Sequence, residues 1–276
     1  MVMSEEAAVQ IDLKKVLEKK APGFVRRAPS WLIHYLVHII HQDELNDILL
    51  RYKGFEGVPF MQKLIGYFDL NLQLSGEDNI PSDRRLIFVS NHPLGGLDGI
   101  CLSAVIGERF NSAIRFLVND FLLAIPNLRT IFLPVNKFGE QGRHYTQVIE
   151  EAFASDNQIL TFPAGLCSRL VHGKVQDLDW KKSFITKAVQ YQRDVVPLFF
   201  DGKNSMFFYR IANLRKKLGI KINYELAYLP NEMFKSKHKT FQITFGKPIP
   251  WQTFDHSYAP EVWASRIREE VYRLKK

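Results

Sequence analysis

In the stretch "YFDLNLQLSG", apolar Phe68, Leu70, Leu72 and Leu74 alternate with polar residues and end on a glycine. That period of two predicts a half-buried strand. "LIFVS", residues 86–90, is apolar without alternation, the mark of a short buried strand. Further strand-like runs follow in "IRFLV", "IFLPV", "QILTFP", "VVPLFF" and "FQITFG". They alternate with helical patterns such as "HYTQVIEEAFAS" and "WKKSFITKAVQYQ", and "EVWASRIREEVYRLKK" reads as an amphipathic closing helix. Alternating strands and helices predict an α/β fold, a sheet flanked by helices. No repeat or low-complexity linker divides it, so one domain over 71–276, preceded by a helical extension over 1–70, is the simplest organisation.

The extension contains the longest apolar run, "WLIHYLVHII", Trp31 to Ile40. A membrane-spanning helix needs roughly 20 apolar residues, so this one is too short to cross a bilayer. Pro29 and Ser30 suit its start, and Lys14, Lys15, Lys19, Lys20, Arg26 and Arg27 precede it. Two readings stand side by side: an interfacial, membrane-contacting helix with basic flanks, or a helix packed on the core. His34, His38 and His41 share a face by spacing, yet the zinc-protease pattern is missing. A polar stripe is the expectation, and no metal.

Composition narrows the partners. Lys and Arg total 37 against 29 Asp and Glu, a net charge of +8, which attracts acidic partners: an anionic membrane surface, an acidic carrier protein or nucleic acid. Two cysteines, Cys101 and Cys167, cannot form a disulfide framework, and the first residues lack a cleavable signal pattern. Both point to a reducing, cytoplasmic setting.

The candidate chemistry sits in "LIFVSNHPLGGLDGI", residues 86–100. The strand "LIFVS" ends in the loop "NHPLGGLDG", and a helix follows with Asp98 near its start. Ligands of open α/β sheets collect at the carboxyl ends of strands, where His92 falls. Asp98 could merely cap the helix. Gly95 and Gly96, however, let the chain fold back and bring carboxylate and imidazole together. Such an Asp fixes one imidazole nitrogen and leaves the other free to take a proton. No G-x-S-x-G elbow supplies a nucleophile, so the attacking hydroxyl belongs to a substrate. Transfer of an activated group, most naturally an acyl group, is the expected reaction.

"NHPLGGLD" resembles the Asn-His-(four residues)-Asp motif of the glycerolipid and lysophospholipid acyltransferase superfamily, the 1-acylglycerol-3-phosphate acyltransferases among them, with one extra residue between His92 and Asp98. "LSGEDNIP" resembles the family's approach to that motif. "LPVNKFGEQGRH", with Arg143, sits where the second motif belongs. "FPAGLCSR", residues 162–169, resembles the third, and "VVPLFFDGKNS", with Pro197, the fourth.

The resemblance implies the family's helix-flanked sheet, with His92 as general base and Asp98 as its orienting partner. It also implies a thioester donor, acyl-CoA or acyl carrier protein, as co-substrate without any further cofactor. Substrate contacts would fall to Asn91, Arg143, Phe162, Pro163, Gly165, Ser168, Arg169 and Pro197, with Gly165 and Arg169 on the acceptor's anion. Ala164 replaces the third motif's Glu and the arginine is displaced to position 169. These departures resemble a hemolysin-like bacterial branch, some members of which acylate lyso forms of amino-acid lipids rather than glycerol phosphates.

The expected enzyme is therefore a lyso-lipid O-acyltransferase, peripheral on the cytoplasmic face of an anionic membrane, with nucleic acid not among its partners. A thioesterase or lipid hydrolase using the same dyad, and a non-catalytic anionic-lipid-binding protein, are the competing readings. Cys167 is expected to pack rather than react. His172, Asp177 and Asp179 of "VHGKVQDLD" are expected in a polar surface loop.

Overall fold

The computed structural model describes residues 10–20, 22–118, 125–134, 140–220 and 222–275. Helices α1 (Leu13–Lys20), α2 (Pro22–Arg27), α3 (Ser30–Ile39), α4 (Gln42–Arg51) and α5 (Gly57–Phe68) lead into strand β1 (Asn71–Ser75). Then come β2 (Leu86–Ser90), α6 (Leu97–Arg109), β3 (Ile114–Val118), β4 (Phe132–Pro134), α7 (Glu140–Ala154) and β5 (Gln158–Thr161). A hairpin, β6 (Arg169–Val171) and β7 (Lys174–Gln176), precedes α8 (Ser183–Tyr191) and β8 (Asp194–Asp201). The chain continues through α9 (Met206–Lys217), α10 (Leu229–Phe234), β9 (Thr240–Phe245) and α11 (Pro260–Arg273).

The main sheet has seven strands in the order β1-β9-β8-β2-β5-β3-β4. All its pairings are parallel except β9 against β8. Strand β2 is central and wholly buried, which explains its unbroken apolar run. Its residues alternate between two cores: Leu86 and Phe88 face α5 and α6, while Ile87 and Val89 face α7, α8 and α11. Full burial of each such side chain contributes roughly 1.5–3 kcal/mol. Close approach of α5 to α6 depends on Gly107, where an added Cβ would lie 2.3 Å from a Val58 methyl.

The alternation that began at Phe68 resolves differently from its appearance in sequence. Phe68 closes α5, with Val58, Met61 and Leu64 buried on the same face, and Asp69 ends the helix in the left-handed region. Only Asn71–Ser75 is strand, because the helical period upstream wins at the overlap. Helices α4 and α5, though they precede residue 71, place Ile48, Leu49, Phe60 and Met61 in the core with the sheet.

Within α3 only Ile39 is buried, and Trp31 is 68% exposed. His41 falls outside α3, at φ 54° in the junction with α4, where its ring stacks on Phe234 and meets Glu44 and Asn231. The three histidines form no metal cluster among the described residues, and none of the helices described is long and apolar enough to cross a membrane.

Candidate active site

Strand β2 ends against β8, and Asn91 locks the junction. Its carboxamide donates to the Phe200 carbonyl (2.9 Å) and accepts from the Phe200 N–H (2.7 Å). That bidentate clasp fixes where the next residue, His92, leaves the sheet. The His92 backbone is held at both ends: its N–H donates to the Asp177 carboxylate (3.2 Å), and its carbonyl accepts from the Ser168 N–H (2.7 Å).

The loop then turns back through Gly95, at φ 77°, into α6. Asp98 lies in the first turn of α6, wholly buried. One of its oxygens accepts from His92 Nδ1 (3.0 Å), the Leu94 N–H (2.9 Å) and the Gly95 N–H (3.4 Å), and the other accepts from the Gly99 N–H (2.9 Å). The extra residue between His and Asp is thus absorbed by a loop that wraps its own backbone around the carboxylate. Because Asp98 accepts at Nδ1, the imidazole proton sits there and Nε2 is the free base.

Phe162, just past β5, stacks on the imidazole with ring centroids 4.0 Å apart and the planes 20° apart. Phe116 braces Phe162 edge-on at 5.5 Å. The His92 side chain remains 15% exposed, and Nε2 has no hydrogen-bond partner among the described residues. Burial works against its charged form. Attraction to Asp98, their hydrogen bond and the nearby Asp177 together outweigh that, and raise its pKa above the usual histidine value.

Asp177 was expected in a surface loop, but the structure buries it beneath the site. It accepts from Ser168 Oγ (2.6 Å) and Trp180 Nε1 (2.9 Å) as well as from His92. Its own N–H donates to the Tyr272 hydroxyl (2.7 Å), and its carbonyl accepts from Arg268 (2.8 Å), both on α11. Burial raises the Asp177 pKa, against the lowering effect of these donors. Ser168 therefore positions His92 through its backbone and through Asp177.

Arg169, expected to hold the acceptor's anion, is committed elsewhere. Its guanidinium is buried, pairs with Glu225 at 3.1 Å, and donates to the Cys167 carbonyl and sulfur, each at 2.8 Å. Arg215 of α9 closes on the same Glu225 carboxylate at 2.9 Å. Burial, more than the neighbouring Arg169 offsets, pushes the Cys167 thiol up to about 11, so it is a packed thiol and a poor nucleophile.

The rest of the third motif forms the loop beside the imidazole. Pro163 accepts from the Lys181 N–H at 3.0 Å, and Ala164 packs in the core facing α8. Gly165 has φ 69°, and a Cβ there would come within 2.9 Å of Lys181 Nζ, so that ammonium lies directly over the loop. Lys182 is paired with Glu261 (2.6 Å), whereas Lys181 has no ion pair among the described residues.

Pro197 lies within β8, opposite Val89 of β2, and its carbonyl accepts from Gly246. Its missing N–H falls on the irregular side toward Gly246 and Ile249, where a proline is tolerated. It belongs to the sheet rather than to the groups around the imidazole. Arg143 lies in α7, its side chain outside those described, and residues 135–139 of the second motif are outside the described residues.

A family model described as "Acyltransferase" matches residues 15–276. The chain is 46% identical over 272 residues to a lyso-glycine lipid O-acyltransferase of Phocaeicola vulgatus, covering 99% of this chain and 98% of that protein. A protein of the same name from Bacteroides thetaiotaomicron is 45% identical over 272 residues, covering 99% and 100%. Among solved structures, a 1-acyl-sn-glycerophosphate acyltransferase of Thermotoga maritima aligns at a TM-score of 0.48 and 16% identity over 95% of this chain and 98% of that one.

The chain belongs to this acyltransferase family and is an O-acyltransferase. A non-catalytic lipid-binding role is thereby set aside.

Proposed function

We propose that this O-acyltransferase moves a fatty acyl group from a thioester, acyl-CoA or acyl carrier protein, to the hydroxyl of a lyso-amino-acid lipid, a lyso-glycine lipid in particular. The work is done at the cytoplasmic face of an anionic membrane, to which the protein binds peripherally. The relatives' names support the acceptor. The observation that carries the reaction is the imidazole itself, held at Nδ1 by Asp98 with Nε2 open at the end of β2.

In this reading Nε2 removes the acceptor hydroxyl's proton as its oxygen attacks the thioester carbonyl carbon. The tetrahedral intermediate then collapses, the C–S bond breaks, and the leaving thiolate takes the proton from the imidazolium. Asp98 keeps the tautomer and steadies the transient positive charge. The stacked Phe162 excludes water from one face of the ring.

Headgroup recognition requires a cation that is not already paired. Arg169 is spent on Glu225, so Lys181, over Gly165, is the group suited to an acceptor carboxylate. A glycine joined to lipid through its nitrogen presents one carboxylate, which a single ammonium matches better than it matches a phosphate dianion.

The test is an assay of purified protein with acyl-CoA and with acyl carrier protein, each offered lyso-glycine lipid and lysophosphatidate. The expected result is diacylated product from lyso-glycine lipid in preference to lysophosphatidate, with Lys181→Ala raising the acceptor KM and not the donor KM. Free fatty acid released equally without any acceptor would favour the hydrolase instead and overturn the proposal.

A further inference from the structure

Helix α9 is apolar on two sides. Phe208, Tyr209 and Ala212 are buried beneath it. Phe207, Leu214 and Leu218, at i, i+7 and i+11, form a second stripe on the opposite, exposed side. Ile220 and Ile222 extend it beyond the helix, Leu218 and Ile222 being 62% and 76% exposed. Single exposed apolar residues need no explanation, but a contiguous row of them does.

The row continues onto the N-terminal region. Phe207 meets the Tyr228 ring edge-on at 5.3 Å, and the Tyr228 hydroxyl shares a 2.8 Å hydrogen bond with that of Tyr35 on α3. One helical turn before Tyr35 stands the exposed Trp31. The face also adjoins the reaction centre, because Asn204, just before α9, donates to the carbonyl of Pro93 at 3.3 Å.

Charge identifies the occupant. Residues 202–224 contain six Lys or Arg and no Asp or Glu, and five of the six remain once Arg215 is set against Glu225. A second copy of the chain, meeting this face with the same face, would set those charges against each other. An anionic bilayer would neutralise them while taking up the apolar row.

We infer that α9 and the segment after it, joined to α3 through Tyr228, form one docking face for an anionic lipid bilayer, with the His92 loop at its edge. The inference deepens the peripheral membrane binding proposed above and rests on it, while its test reads vesicle binding alone. Failure to acylate lyso-glycine lipid would leave that readout intact.

The experiment is co-sedimentation of the full chain with phosphatidylcholine vesicles, with and without phosphatidylglycerol. Wild type is expected to bind the phosphatidylglycerol vesicles, less so as salt rises. Leu218→Glu with Ile222→Glu is expected to lower the partition coefficient by about tenfold or more, at an unchanged Tm. Lys216→Glu with Lys217→Glu gives a second arm that leaves the apolar row intact, and should weaken binding to anionic vesicles. Undiminished binding in both variants would overturn the inference, as would a wild-type dimer that either variant splits into monomers.

Discussion

Two buried charge clusters flank the third-motif loop, and they differ in one respect that decides their roles. In the Arg169–Glu225–Arg215 cluster each charged group has an ion-pair partner: one carboxylate lies between two guanidinium groups, Arg169 also donates to the Cys167 carbonyl, and the two atoms without a hydrogen bond, Arg215 Nε and Glu225 Oε2, are buried against each other at 2.9 Å. In the His92–Asp98 cluster every donor around the carboxylate is matched, yet the imidazole keeps one nitrogen unpartnered among the described residues. Both hold loops to the end of the same sheet. Only the second leaves open a proton-accepting nitrogen that no opposite charge occupies, and reactivity follows from that rather than from burial or charge alone.

The most severe way to probe the contrast is His92→Ala. Removal of a general base typically costs 10²–10⁴-fold, so kcat for acyl transfer should fall by roughly that factor. Tm should fall less than in a variant that breaks the Arg169–Glu225–Arg215 cluster, because Asn91, Ser168 and Asp177 hold this position through contacts that alanine keeps and the Leu94 and Gly99 N–H groups still donate to Asp98. Circular dichroism melting beside a thioester assay reads both quantities, and wild-type turnover would remove His92 from the chemistry.

Glu225→Ala should act in the opposite sense. It strands two guanidinium groups near the interior, and loss of one member of a buried ion pair costs about 3–5 kcal/mol. A large drop in Tm is expected, with turnover per folded molecule reduced far less than in His92→Ala. The triple change Arg169→Met, Glu225→Leu and Arg215→Met sharpens the point, since an apolar replacement of all partners should recover much of the stability. It should also leave the acceptor KM near wild type; a KM raised many-fold would return Arg169 to substrate binding.

The same contrast explains what was legible in the sequence. His92 and Asp98 are six residues apart across a glycine-rich turn, so their meeting could be read locally. The buried run at 86–90 likewise declared a central strand, because burial on both faces leaves no polar alternation. Asp177 reaches His92 across 85 residues and Glu225 reaches Arg169 across 56. No local pattern encodes such contacts, so the sequence places Asp177 in a polar surface loop and gives Glu225 no partner. The third motif is legible in "FPAGLCSR", but the distant Glu225 that pairs with its arginine is not, so the motif alone assigns Arg169 to the substrate. Helix α9 has no clear signature in the sequence because its apolar residues lie on two faces and give no single stripe.

The finest test of the comparison is the pH dependence. The general base must be neutral, and its pKa is raised by Asp98 and Asp177 against the opposing effect of burial. The acid limb of kcat/KM should therefore have its midpoint above the ordinary histidine value of 6.5. The same shift contributes stability that is fully present below the unfolded histidine's value and is lost as pH rises through the folded one. In Asp98→Asn the attraction and the charged hydrogen bond vanish while burial remains. The acid limb should move to lower pH even as kcat falls from loss of the held tautomer. An acid limb that stays in place in Asp98→Asn would mean that the titrating group is not the imidazole Asp98 holds, and the distinction between the open and the closed cluster would lose its chemical basis.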